Sequence, residues 1–113
     1  MNCSTNQGVR SNRPEEWYHG RLSKNDSEEI LRATNKIGSF LIRDSESQKN
    51  TYVLSFMKSL DDVKHFRILK ICGEYFAEDK KYESLVQFVD YHSTEAVIYS
   101  GLYLTHPVKP DII

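Results

Sequence analysis

Arg43, His65 and Arg67 are the residues of this chain best suited to holding an anion. The stretch SFLIRDSES, residues 39–47, places Arg43 at the end of an otherwise apolar strand pattern. A guanidinium keeps its proton at any ordinary pH, so a covered position demands an anionic partner. That partner is either a carboxylate of the domain itself or an oxyanion brought from outside. Ser45, Glu46, Ser47, Gln48, Lys49 and Asn50 follow as a short polar loop, whose hydroxyls and backbone N–H groups suit the oxygens of an oxyanion. In VKHFRIL, period-two alternation sets His65 and Arg67 on one face of a strand and Phe66 and Ile68 on the other. Lys24, expected in the first turn of a helix, can reach the same place. A lone lysine is ordinarily solvated and a lone strand histidine ordinarily structural; their shared surface with two arginines is what points to phosphate chemistry.

The elements that must position these side chains follow from local pattern. Ser23 with Asp26 resembles a capping box, and Ile30, Leu31 and Ala33 give an apolar stripe up to about Thr34, predicting a first helix. GSFLIRDS, TYVLSFMK, KHFRILKI and EYFA are β-branched or aromatic runs separated by polar turns around 46–50, 59–62 and Gly73. Ser84 with Gln87 marks a second cap, and Leu85, Phe88, Val89 and His92 recur at helical spacing before STEAVIYSG breaks the pattern. A short edge strand is expected near EEWYHGRL and a last one in LYLTHPV. The order helix, strands, helix predicts an α+β domain, with a central antiparallel sheet and a helix on each face. In such a sheet Ser39, Leu41 and Arg43 share one covered face, Phe40 and Ile42 the other, and Asp44 points away from Arg43.

Composition narrows the function classes. The 113 residues suffice for one hydrophobic core, and 39% hydrophobic with 12% aromatic residues is the balance of a globular domain. Fifteen basic against 16 acidic residues give a net charge of −1, without the basic excess by which nucleic-acid binders engage phosphates. Two cysteines, Cys3 and Cys72, support neither a disulfide framework nor a cysteine zinc site. Residues 1–13 are polar and read as a flexible tail, 14–108 as the domain and 109–113 as a second tail. The first residues hold no apolar signal, and Asn2 stands where myristoylation needs glycine, so a cytoplasmic location is expected. A cysteine-dependent phosphate-ester hydrolase would typically carry an arginine six positions after its cysteine. Glu78 follows Cys72 at that distance and Val9 follows Cys3. With no phosphate loop, metal-ligand histidine pair or nucleophile elbow either, neither an enzyme nor a cofactor or metal site is expected.

Taken together, WYHGRL, GSFLIRDSES, YVLSF, KHFRI and SLVQFVDYH, in this order and spacing, resemble the Src homology 2 (SH2) domain, over Trp17 to about Val108. Within that family HFRILKICGEYF and HPV are most similar to the amino-terminal SH2 domain of Ras GTPase-activating protein, and FLIRDSES to adaptor-protein SH2 domains. The resemblance implies a phosphotyrosine-peptide binder that recruits its parent protein to tyrosine-phosphorylated receptors or scaffold proteins, as a monomer without nucleic acid or membrane insertion. It implies that Arg43 forks the phosphate, that Ser45, Glu46 and Ser47 complete a cradle, and that Lys24, His65 and Arg67 border phosphate and ring. It further implies that Phe66, Ile68, Phe76, Ala77, Tyr99 and Gly101 read the peptide, largely through an apolar pocket for the third residue after the phosphotyrosine. Trp17 is expected to be structural. Glu78 and Asp79 stand where the most similar group has glycines, so the preference of that pocket is open.

Overall fold

A computed structural model describes residues 16–110; the tail expected over 1–13 lies outside the described residues, as do 111–113. Helix α1 spans Lys24–Thr34, strands β1 Ser39–Asp44, β2 Thr51–Ser59, β3 Asp62–Ile71, β4 Glu74–Ala77 and β5 Lys80–Tyr82. Helix α2 spans Leu85–Asp90 and strand β6 His106–Pro107. Both predicted caps are present: Ser23 accepts from the Asp26 N–H and Ser84 from the Gln87 N–H, each relieving one orphan donor of its helix. After Asp90 the backbone widens into a π-helical turn, Tyr91–Glu95, closed by the Ala96 N–H on the Tyr91 carbonyl at 3.0 Å.

The sheet order is β5-β4-β3-β2-β1-β6. Strands β1 to β5 pair antiparallel in sequence, as the short connections require, whereas β6 returns through α2 and a long loop to lie parallel to β1. Strand β5 is not among the elements expected from the sequence: KKY is too short and too charged to read as a strand. The segment WYHG makes a single parallel bridge, Tyr18 to Ile42, rather than a full edge strand. Two segments thereby share the outer edge of β1. His19 N–H donates to the Ile42 carbonyl and Asp44 N–H to the Gly20 carbonyl, while Val108 N–H donates to the Phe40 carbonyl. The strand carrying Arg43 is therefore bonded along both edges.

Each face of the sheet buries its own core. Under α1 lie Leu31, Leu41, Met57 and Val63. Under α2 lie Phe40, Ile42, Leu54, Phe56, Ile68, Phe88 and Val89, together with Trp17. Strand alternation assigns the two sets, so consecutive residues of FLI part to opposite cores. The outcome is the α+β arrangement expected, a curled sheet with a helix on each side.

Candidate anion site and peptide surface

Register brings the charged residues together. On the α1 face Arg43 stands opposite Val53, which stands opposite Arg67; in the neighbouring row Leu41, Ser55 and His65 align likewise. Adjacent strands lie about 4.8 Å apart, so residues distant in sequence share one patch. The N-terminus of α1 and the loop after β1 close over it. The resulting cleft, about 520 Å3, is lined by Lys24, Arg43, Ser45, Glu46, Ser47, His65 and Arg67, with Val53 and Phe66 completing the wall. All the residues expected around the phosphate meet in this one cleft.

Arg43 is 4% exposed, and among the described residues no carboxylate comes within ion-pair distance of it. Its Nε donates to Ser55 Oγ at 3.3 Å, and Nη2 lies 3.4 Å from His65 Nδ1. Its other N–H groups, both on Nη1 included, find no acceptor among the described residues. Burial pulls its pKa below the ordinary arginine value, against the nearby charges of Glu46 and Glu28, yet a guanidinium stays protonated. The internal carboxylate that a covered arginine would ordinarily demand is not in contact with it.

His65 is fixed from two sides. Nε2 lies 2.8 Å from Glu28 Oε2, and a carboxylate only accepts, so Nε2 carries the proton. Nδ1 is then the acceptor for Ser55 Oγ at 2.9 Å and for Arg43. Burial lowers the His65 pKa more than the Glu28 hydrogen bond raises it, and the charges of Arg43 and Lys24 act in the same direction as burial. The Glu28 carboxyl is in turn held below the usual carboxylate range, first by the hydrogen bond from His65. Glu28, Ser55 and Ser27, whose Oγ lies 3.5 Å from that of Ser55 and donates to the Lys24 carbonyl, were not singled out from the sequence. The signals were slight: Glu28 lies four residues after Lys24 on the same helix face, and Ser55 interrupts an apolar strand.

The loop after β1 is organised from within. Ser45 Oγ accepts from the N–H groups of Ser47 and Gln48, at 3.3 and 3.2 Å. Glu46 Oε2 accepts from the Lys24 N–H at 2.8 Å, tying the loop to the start of α1. Asp44 turns to the other face, where Tyr18 donates to it at 2.6 Å.

A second cavity of about 270 Å3 opens on the α2 side, walled by Phe66, Phe88, Val97 and Ile98, with Ala77, Glu78 and Asp79 along the β4–β5 turn. Phe66 borders both cavities and is the hinge between them. Of the residues expected to read the peptide, Phe66 and Ala77 line this cavity. Ile68 does not: it shares the face of Phe66 but is 0% exposed, deep in the core beneath α2. Phe76 does not either, because it pairs with Leu69 and alternation turns it to the α1 face while Ala77 takes this one. Tyr99 meets Phe66 edge to face at 6.4 Å and lies under the ammonium groups of Lys58 and Lys64, outside the cavity. Gly101 sits in the tight turn closed by the Leu102 N–H on the Tyr99 carbonyl.

The cleft can hold an oxyanion by charge and by directed N–H groups. Cys72, the one cysteine among the described residues, is exposed in the β3–β4 turn, away from the cleft lining. Among the described residues no group of His, Cys, Asp or Glu is placed to hold a metal, and no helix is long and apolar enough to cross a membrane.

The family model for the SH2 domain matches residues 17–92, and the chain belongs to that family, whose members are in general non-catalytic phosphotyrosine-binding modules of signalling. Among its relatives, Ras GTPase-activating protein 1 of Homo sapiens is 39% identical over 95 residues, covering 84% of this chain and 9% of the relative. The proteins of the same name from Rattus norvegicus and Bos taurus match at the same identity and coverage. The chain thus spans less than a tenth of the length of these curated relatives. Among solved structures, the SH2 domain of a CRK/CRKL homolog from Monosiga brevicollis, determined by solution NMR, superposes with a TM-score of 0.74 at 29% identity. That match covers 83% of this chain and 86% of the other.

Proposed function

We propose that this domain binds phosphotyrosine peptides, with the phosphate paired to Arg43 and the following residues laid across Phe66 toward the second cavity. The observation that carries this reading is a buried arginine with N–H groups to spare, at the bottom of a cleft that also holds Lys24, Arg67 and His65. Phosphotyrosine brings about −1.5 to −2 charges and three acceptor oxygens, where tyrosine brings one neutral hydroxyl. Arg43 can fork two of those oxygens; Lys24 and Arg67 add charge at the rim. Ser45 and Ser47 offer hydroxyls and Glu46 a backbone N–H to the remaining oxygens once the loop turns onto the ligand. His65, kept neutral by burial and by the charges of Arg43 and Lys24 and oriented by Glu28 and Ser55, keeps Arg43 in place and shapes the wall against the tyrosine ring. The domain does no chemistry on its ligand; it brings the protein that carries it to tyrosine-phosphorylated receptors or scaffold proteins in the cytoplasm, acting as a monomer and using neither nucleic acid nor a cofactor.

Calorimetric titration with a phosphotyrosine peptide and its unphosphorylated counterpart tests this. Only the phosphorylated form should bind. Arg43→Ala should cost about 2–5 kcal/mol, or roughly thirty to several thousand fold in affinity, because it leaves the phosphate desolvated and unpaired. Equal binding of both peptides, or a loss well below thirtyfold, would overturn the assignment.

A further inference from the structure

We propose that the second cavity selects a ligand side chain with an apolar stem and a cationic, hydrogen-bond-donating head, a lysine or an arginine a few residues beyond the phosphotyrosine. This rests on the phosphotyrosine reading above and specifies what the second cavity takes.

The walls from Phe66, Phe88, Val97 and Ile98 suit methylene groups, and the lining carries two carboxylate side chains against one ammonium. Glu78 and Asp79 both line the cavity, and among the described residues neither forms an ion pair. Lys80, the one cationic side chain of the lining, has its ammonium drawn over the Tyr91 ring, 5.2 Å from the centroid. A third acceptor is buried. Tyr82 is 5% exposed, and its hydroxyl lies 3.2 Å from His92 Nε2. His92 Nδ1 lies 3.0 Å from the Ala96 carbonyl, which only accepts, so the tautomer this contact selects has its proton on Nδ1 and an acceptor at Nε2. Tyr82 therefore donates to His92, and no donor among the described residues reaches the lone pairs of its oxygen. His92 lies within the π-helical turn after α2, the turn closed by the Ala96 N–H on the Tyr91 carbonyl.

Three kinds of side chain fare differently here. A leucine fills the walls and leaves the acceptors unmatched. A glutamate would face two carboxylates. A lysine buries its stem on the aromatic walls and offers its donors to Glu78, Asp79 and Tyr82, as long cationic side chains do on apolar surfaces with a polar margin.

Phosphotyrosine peptides, alanine elsewhere, with lysine, norleucine or glutamate placed in turn at the second, third and fourth residues after the phosphotyrosine, would test the assignment by calorimetry. Norleucine keeps the stem of lysine and removes its amine. At one of these positions lysine should bind about fivefold or more tighter than norleucine, and glutamate weakest. The lysine preference should vanish in the Glu78→Gln, Asp79→Asn double variant and shrink in Tyr82→Phe, which keeps the packing of the ring. Norleucine equal to or tighter than lysine at all three positions, or a lysine preference unchanged in the double variant, overturns the inference and leaves phosphotyrosine binding standing. Failure of every phosphopeptide to bind overturns both.

Discussion

His65 gives the site its sense of pH. In the folded domain its ring is neutral, because burial and the neighbouring Arg43 and Lys24 outweigh the pull of Glu28. In the unfolded chain the same ring takes a proton near about pH 6.5. Between its lowered folded pKa and that value the unfolded state binds more protons, so stability falls as the pH drops through this window. Glu28 acts in the same sense further down: its folded pKa lies below the ordinary value of 4.5, and the stability it contributes above that value is lost as acid protonates it. The melting temperature of the unliganded domain should therefore fall between about pH 7 and about pH 5, and His65→Asn should flatten that fall. A wild-type melting temperature indifferent to pH over this range would refute the neutral, Glu28-bonded ring. Arg43 was legible in the sequence because a permanent charge in an apolar strand has few explanations. Glu28 and Ser55 were not, since a helix glutamate is ordinarily solvated and a strand serine is unremarkable until register sets it beside a histidine. Ile68 and Phe76 mark the opposite failure: alternation names a face, but neither how deep a residue lies in it nor how the parity carries over into the next strand.

At the scale of elements, the join between β1 and β6 depends on one position. Gly38 has φ +96, and its carbonyl accepts from the N–H groups of both Thr105 and His106. A Cβ there would collide with the Thr105 hydroxyl. Gly73 also has a positive φ, +80, but open space around it, in the two-residue turn between β3 and β4. Gly38→Ala should thus cost about 1–3 kcal/mol beyond the left-handed strain it shares with Gly73→Ala. Urea denaturation of the two variants compares them directly, and equal losses would mean that the β6 contact yields without cost. Helices α1 and α2 and strands β1 to β4 could be read from caps and β-branched runs, because those signals are local. Strand β5 and the parallel return of β6 could not, because KKY and HP acquire strand geometry only from the partners against which they are laid. The π-helical turn has no pattern of its own either; His92 reads as one more helical position.

Over the whole molecule, the near-zero net charge leaves little long-range field to steer a ligand, and Arg43, the contact proposed for the phosphate, is enclosed. Salt screens exposed charges such as Lys24 and Arg67 far more than it screens Arg43. Phosphopeptide affinity should accordingly weaken by less than about tenfold between about 0.05 and 0.5 M salt. A steep, power-law loss would place the binding energy on the exposed lysines and arginines instead. The two cavities occupy the α1 face around β1 to β3 and the α2 side around β4 and β5, joined across Phe66. The other edge of the sheet is taken by residues 18–20 and 106–108, side by side along β1, with His19 Nε2 only 2.7 Å from the Val108 carbonyl. Incoming and outgoing chain are thus stitched to a single seam, remote from the second cavity. Such a domain can be spliced into a loop of a host protein, or strung between neighbours, like a bead whose two holes open on one side: the flanking chain need not stretch across the sheet, and the surface proposed to read the peptide still faces outward.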